Sequence, residues 1–400
     1  MRWSSGLPFF FRRLGLPASA CGRLVCAAAL AAVAGMHGAR AAPAGTDDAI
    51  RQVAQEAMRE HGIAGMAIGV RHGGEARFYN LGVASLRTQQ KVTSDTLFEV
   101  GSISKTYTAT LAAYAQTQGR LALKDPVQKF VPELRGSPFG KLTLIHLGTH
   151  TGGGFPPRVP DGVRTRAQLL AYLKAWRPSY APGTRRTYAN PSIGMLGEAA
   201  ARALDRPFDL AMEQDLFPAL GLASTFLAVP PDRQESYAQG YDAQAKPVRL
   251  TPGVLGAQAY GVRTSARDLL RFVDANLGLA PGLDPRLRRA LAATHVAYYQ
   301  VDGMMQDLAW EQYAWPARLE TLIAGNAPDM AARTHEARAL DPPLAPQASA
   351  WINKTGSTNG FGAYVAFVPA AQTGIVILAN RNWPNEARVR LAYRIMELLR

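Results

Sequence analysis

The 400-residue sequence predicts an α/β protein of the α+β type: an antiparallel sheet flanked by N- and C-terminal helices, with a mainly helical lobe inserted. Three observations predict it. Strand-like runs lie near both ends of the chain, broken helical patches fill the middle, and an amphipathic helical stretch accompanies each set of strands. The composition, 48% hydrophobic and 18% charged, supplies a large packed core and excludes disordered and low-complexity classes.

The elements follow in chain order. Residues 1–41 hold Arg2, Arg12, Arg13, Arg23 and Arg40, no acid, an apolar run from Leu24 to Met36, and a small-x-small site at Ala39-Arg40-Ala41. That pattern predicts a secretory signal cleaved after about Ala41 and a periplasmic product. The run falls short of the ~20 residues of a membrane span, so no stable membrane anchor is expected. Both cysteines, Cys21 and Cys26, lie inside the signal, which leaves residues 42–400 without a thiol for catalysis or zinc.

After a Pro/Gly linker, Ile50, Val53, Ala57 and Met58 recur at helical spacing, with Asp47 and Asp48 at the start of the helix. Residues 64–71 and 76–81 read as strands joined by a His72-Gly73-Gly74 turn. A short apolar run at 97–100 ends at Gly101, and 102–121 turns helical, stopping near Gly119. Asp125-Pro126, Gly152-Gly153-Gly154, Pro156-Pro157 and Pro230-Pro231 interrupt the middle. Residues 348–354, 362–368 and 374–379 read as three further strands, and 385–399 as a closing helix. One domain over 42–400 results, with a sheet lobe at about 42–120 and 253–400 and a helical lobe at about 121–252.

The net charge of +14 comes from 36 arginines and 8 lysines scattered along the chain, and falls to +9 once residues 1–41 are removed. Without a basic run or basic–aromatic alternation, this is a cationic surface and no nucleic-acid site.

Candidate chemistry narrows by elimination. His146 and His150 stand four apart, but a zinc protease helix needs Glu at the second position and Leu147 occupies it, so both histidines read as structural and no metal is expected. No Gly-x-Ser-x-Gly elbow exists for a serine triad. A different serine device is present. Ser102 and Lys105 lie three apart at a helix start, on one face. A serine needs an adjacent base, and a desolvated lysine can become one where arginine cannot. Tyr188-Ala189-Asn190 follows an Ala-Pro-Gly turn, and Lys354-Thr355-Gly356-Ser357 ends a strand. The latter offers a cation, a hydroxyl and a glycine that lets a substrate lie against the strand. Lysines beside Tyr188 would favour its anion and make it a usable base.

These motifs, in this order, make the chain similar to the class C serine β-lactamases. The resemblance runs through Phe98-Glu99-Val100-Gly101-Ser102-Ile103-Ser104-Lys105, Asp125-Pro126-Val127, Tyr188-Ala189-Asn190-Pro191-Ser192, Ala259-Tyr260-Gly261-Val262, Trp351 through Thr358, and Pro384-Asn385. It implies Ser102 as nucleophile, Lys105 as its proton partner and Tyr188 as the base for the deacylating water. Asn190 would hold the substrate's side-chain amide. Lys354 and Thr355 would receive its carboxylate, with Asn385 near it. The backbone N–H groups of Ser102 and Ser357 would form an oxyanion hole, and Tyr260 would wall the pocket. The implied enzyme is a monomer that needs no cofactor, takes a small-molecule β-lactam and prefers cephalosporins. One departure stands out: Arg158 occupies the place where the family usually has Gln, which bears on substrate range because a guanidinium can only donate. The alternatives on the same scaffold are a D-alanyl peptidase, an esterase, or a non-catalytic binder of peptidoglycan fragments. The intact Lys354-Thr355-Gly356 weighs against an esterase.

Overall fold

The computed structural model describes residues 45–400, so the segment read as a signal lies outside the described residues. Helix α1 (Thr46–His61) leads into the hairpin β1 (Gly65–His72) and β2 (Glu75–Gly82). Gly73 and Gly74 both take positive φ, +56° and +82°, as a two-residue turn matched to strand twist requires. Helices α2 (Ser104–Thr117), α3 (Asn190–Ala203), α4 (Ala266–Asn276) and α5 (Pro285–Thr294) follow. The chain then makes β3 (Ala297–Val301), β4 (Met304–Gln306), β5 (Glu311–Ala314), β6 (Arg338–Leu344), β7 (Ala350–Ser357), β8 (Gly362–Val368) and β9 (Thr373–Ala379), and ends in α6 (Asn385–Leu398). These nine strands form one antiparallel sheet in the order β6-β3-β4-β5-β7-β8-β9-β1-β2.

The central strands read as continuous apolar runs because both faces of the sheet are covered. On one face Tyr364, Ala366, Ile375 and Ile377 pack with Ile50 and Val53 of α1 and Val389 and Ile395 of α6. On the other, Val365, Phe367, Val376 and Leu378 join the larger core built by α2, α4 and α5, including Tyr107, Leu111 and Phe272. Truncating one such buried isoleucine, Ile377→Ala for instance, costs roughly 2–5 kcal/mol.

Strands β3 to β6 are additions to the sequence reading, which placed strands only near 64–81 and 348–379. β3 and β4 turn through Asp302-Gly303, with Asp302 at φ +49°, so the hairpin signal was present in the sequence. No described helix is long and apolar enough to cross a membrane.

Candidate active site

The site begins with α2, a helix buried on nearly every side. Its threonines make that possible by spending their hydroxyls on backbone carbonyls: Thr106 donates to Ile103 at 2.8 Å, Thr110 to Thr106 at 2.8 Å, and Thr108 to Gln258 at 2.7 Å. Ser102 sits just ahead, in a single 3-10 turn, Gly101–Ile103, that runs into α2, so it precedes the α-helix proper and does not open it. Lys105, fully buried, donates to Ser102 Oγ at 2.9 Å, to Asn190 Oδ1 at 2.8 Å and to the Ala259 carbonyl at 2.7 Å.

The opposite wall is β7. Gly101 has φ +50°, and a Cβ there would stand 2.5 Å from the Ser357 nitrogen; a Cβ on Gly356 would stand 1.9 Å from the Val100 carbonyl oxygen. Only glycine at both positions lets the Ser102 turn lie directly on the strand. This corrects the expectation for Gly356: the room its missing side chain leaves is taken by the Val100 carbonyl. Thr355, Gly356 and Ser357 line the same cavity as Ser102, Tyr188, Lys354 and Asn385.

Tyr188 lies between the short strand Arg185–Thr187 and α3. The Lys105 and Lys354 ammonium groups are 5.1 Å and 5.2 Å from its ring centroid, and the Arg186 guanidinium carbon is 5.4 Å away. Burial by itself pushes the phenol up. The charges of Lys105 and Lys354, with a hydrogen bond from Ser102, outweigh it and bring the pKa from its usual value near 10 down to about 8. Burial also lowers the Lys105 pKa, assisted by Lys354, while Tyr188 opposes the shift. Lys354 goes the other way. Burial opposes its charge, but Glu311 and then Tyr188 hold its pKa above the usual range.

Several contributors were not singled out in the sequence. Glu311 on β5 accepts from Lys354 Nζ at 3.2 Å and from Arg186 Nη2 at 3.2 Å, and Arg186 also donates to Gln306 Oε1 and the Met330 carbonyl, each at 2.6 Å. Arg388 of α6, wholly buried, donates to the Gly356 carbonyl at 2.8 Å and to Ser357 Oγ at 2.9 Å. Its partners are all neutral, and burial pulls its pKa down to about 9. Gly325, Asn326, Ala327, Met330 and Ala331, from the 325–331 segment, complete the cavity wall. No local motif marks these groups, which the topology brings in from β5, α6 and the 325–331 segment.

The remaining expected residues differ in how near they come. Asn385 lines the cavity and donates to the Asn326 carbonyl at 3.2 Å. Asn190, whose Oδ1 is taken by Lys105, keeps its Nδ2–H2 as remaining donor. Tyr260 is half-buried at the end of Gly256–Tyr260, and its hydroxyl accepts from Gly253 N–H at 3.4 Å. Arg158 is exposed, on a loop tied to the site where the Pro157 carbonyl accepts from the Asn190 N–H at 3.0 Å. Neither Tyr260 nor Arg158 is among the residues that line the cavity. Of the two histidines, His146 closes a capping box with Thr143 at the start of Leu144–Gly148, whereas His150 packs on the Tyr188 ring at 4.4 Å between centroids.

The Beta-lactamase family model matches residues 50–400. A curated beta-lactamase of Lysobacter lactamgenus is 50% identical over 351 residues, covering 88% of this chain and 91% of the relative. Among solved structures, a beta-lactamase/D-alanine carboxypeptidase from Pseudomonas syringae superposes with a TM-score of 0.87 at 56% identity, over 88% of this chain and 99% of that one. A class C beta-lactamase in complex with cefoxitin gives a TM-score of 0.86 at 46% identity, over 88% and 98%.

Proposed function

Because this chain belongs to the beta-lactamase family, as a class C serine β-lactamase, we propose that it hydrolyses β-lactams through an acyl-enzyme on Ser102, with cephalosporins preferred, in the periplasm. One observation carries the reading: Lys105 Nζ lies 2.9 Å from Ser102 Oγ, and both lysines flank Tyr188. In its amine form Lys105 takes the Ser102 proton as Oγ attacks the lactam carbonyl carbon. The backbone N–H groups of Ser102 and Ser357 receive the developing oxyanion, a contribution of roughly 3–4 kcal/mol per donor. The C–N bond then breaks and the ring nitrogen takes the proton that Lys105 received, which restores the amine. In the second half the Tyr188 phenolate accepts a proton from water, the resulting hydroxide attacks the ester, and Ser102 leaves with its proton restored.

Lys354 and Arg186 share one carboxylate, Glu311, so the cavity carries positive charge while Tyr188 is a neutral phenol and Lys105 an amine. That field suits a substrate carboxylate held by Lys354, Thr355 and Asn385, while the Asn190 amide takes the acylamino group, Tyr260 walls it, and Arg158 adjusts the preference. The test is incubation with a cephalosporin, followed by intact-mass spectrometry and steady-state turnover. The parent shows sustained turnover and Ser102→Ala no adduct; an adduct on Ser102→Ala overturns the assignment. The Pseudomonas syringae neighbour, a beta-lactamase/D-alanine carboxypeptidase, favours D-alanyl carboxypeptidase as the second reading. A stoichiometric adduct released slowly, without sustained turnover, identifies it.

A further inference from the structure

His150 holds the Tyr188 segment through three contacts. Its carbonyl accepts from the Thr187 N–H at 2.9 Å, its Nδ1 accepts from the Ala189 N–H at 3.2 Å, and its ring lies 4.4 Å from the Tyr188 ring at an interplanar angle of 36°. The residues on either side of the phenol are therefore tied to the residue that backs it. Two local penalties are tolerated there. The φ of His150 is +61°, in the left-handed region that L residues seldom adopt. Because Nδ1 accepts, the ring proton belongs on Nε2, which is buried with no protein partner among the described residues. Backbone and polar penalties gathered at one residue, against a candidate reacting group, point to a functional constraint.

We propose that His150 is a positioning residue for Tyr188, a neutral Nε2–H imidazole that keeps the phenol seated between Lys105 and Lys354 and shields one face of it. The proposal rests on Tyr188 being the base. Neutrality follows from burial first, then from the Arg186, Lys105 and Lys354 charges, which hold the imidazole well below its usual range. Shielding matters because Coulomb attraction strengthens as water is excluded. The charged and titratable groups around Tyr188 are Lys105 from α2, Lys354 from β7, Glu311 from β5 and Arg186 on the strand before it, with Ser102 donating to the phenol. Water in place of the His150 ring screens all of them and returns the phenol toward the value of about 10 of a solvated tyrosine.

The experiment titrates Tyr188 by ¹³C-tyrosine NMR, assigned by its absence in Tyr188→Phe, alongside the pH profile of kcat for a cephalosporin. His150→Asn removes the ring but keeps an acceptor oxygen and tolerates positive φ; His150→Phe keeps an aromatic face and loses the acceptor. The expected result is a His150→Asn protein still acylated on Ser102, with the Tyr188 midpoint and the acid limb of kcat displaced upward by at least about half a unit and kcat lowered tenfold or more. In His150→Phe the midpoint stays near that of the parent. ¹⁵N-histidine NMR of the parent, which carries no folding risk, shows the neutral Nε2–H tautomer across the folded pH range. An unmoved midpoint in His150→Asn, or a protonated or Nδ1–H ring in the parent, overturns the proposal. Parent-like kcat in Tyr188→Phe removes the base assignment itself, and is read independently of either His150 variant.

Discussion

At the start of α2 and near the end of β7 the protein buries two lysines against the same phenol and treats them differently. Lys105 donates to three neutral acceptors, Ser102 Oγ, Asn190 Oδ1 and the Ala259 carbonyl. Lys354 meets a buried carboxylate, Glu311, itself shared with Arg186. Burial works against both charges, yet the Lys105 pKa ends below the usual lysine value and that of Lys354 above it. A cation held by neutral dipoles gives up its proton more readily than one paired with an anion. In the proposed mechanism that difference divides the labour: Lys105 moves protons, and Lys354 supplies a fixed field.

Arginine at each position is the hardest test of that division, since a guanidinium keeps the charge and cannot act as a base. Lys105→Arg should lower the acylation rate roughly 100- to 10,000-fold, the range of general-base contributions. Lys354→Arg should lose clearly less, because its charge survives. Rapid-quench measurement of acylation in both proteins decides it, and equal losses break the comparison.

Glu311→Gln sharpens it from the other side. Glu311 raises the pKa of Tyr188 and of Lys354, so its neutral replacement lowers both. With Tyr188 as the proposed base, the rate requires its anion and should rise as pH climbs through about 8; in Glu311→Gln the acid limb of kcat should move to lower pH. Breaking a buried ion pair also costs roughly 3–5 kcal/mol, so the variant melts earlier by calorimetry. An acid limb displaced upward contradicts the account.

The same contrast explains what could be read in the sequence. Ser102 and Lys105, Tyr188 and Asn190, and Lys354 to Ser357 were legible because each pair or run is local, and its chemistry demands those residue types at that spacing. Strands β1, β2, β7, β8 and β9 and helices α1 and α6 were legible from periodicity and from turns such as Gly73-Gly74. Glu311, Arg186 and Arg388 were not. Arg186 reaches Glu311 across 125 residues of sequence, and only the β5–β7 pairing sets Glu311 beside Lys354. His150 read as a structural residue, since packing on Tyr188 leaves no trace in local pattern. β3 to β5 run only three to five residues, too short for a clear period, and β6 carries Asp341-Pro342-Pro343, which reads as a break in a strand.

The smallest effect concerns Arg158. Its side chain is exposed, so any attraction for an anionic acylamino group is screened and worth little. In Arg158→Gln the kcat/KM ratio for anionic over neutral side-chain cephalosporins should fall by about two- to fivefold at low salt. The change should fade as ionic strength rises. An unchanged ratio at low salt places Arg158 outside substrate recognition, and leaves both lysines untouched.

The division between the two lysines is tested most directly by following their ¹³Cε and ¹⁵Nζ resonances against pH in the intact protein, each assigned by its arginine variant. The account predicts that Lys105 titrates below the ordinary lysine value of 10.5 and Lys354 above it, with Tyr188 titrating near 8 in the same samples. Two lysines titrating together, or Lys354 losing its proton before Lys105, would contradict it.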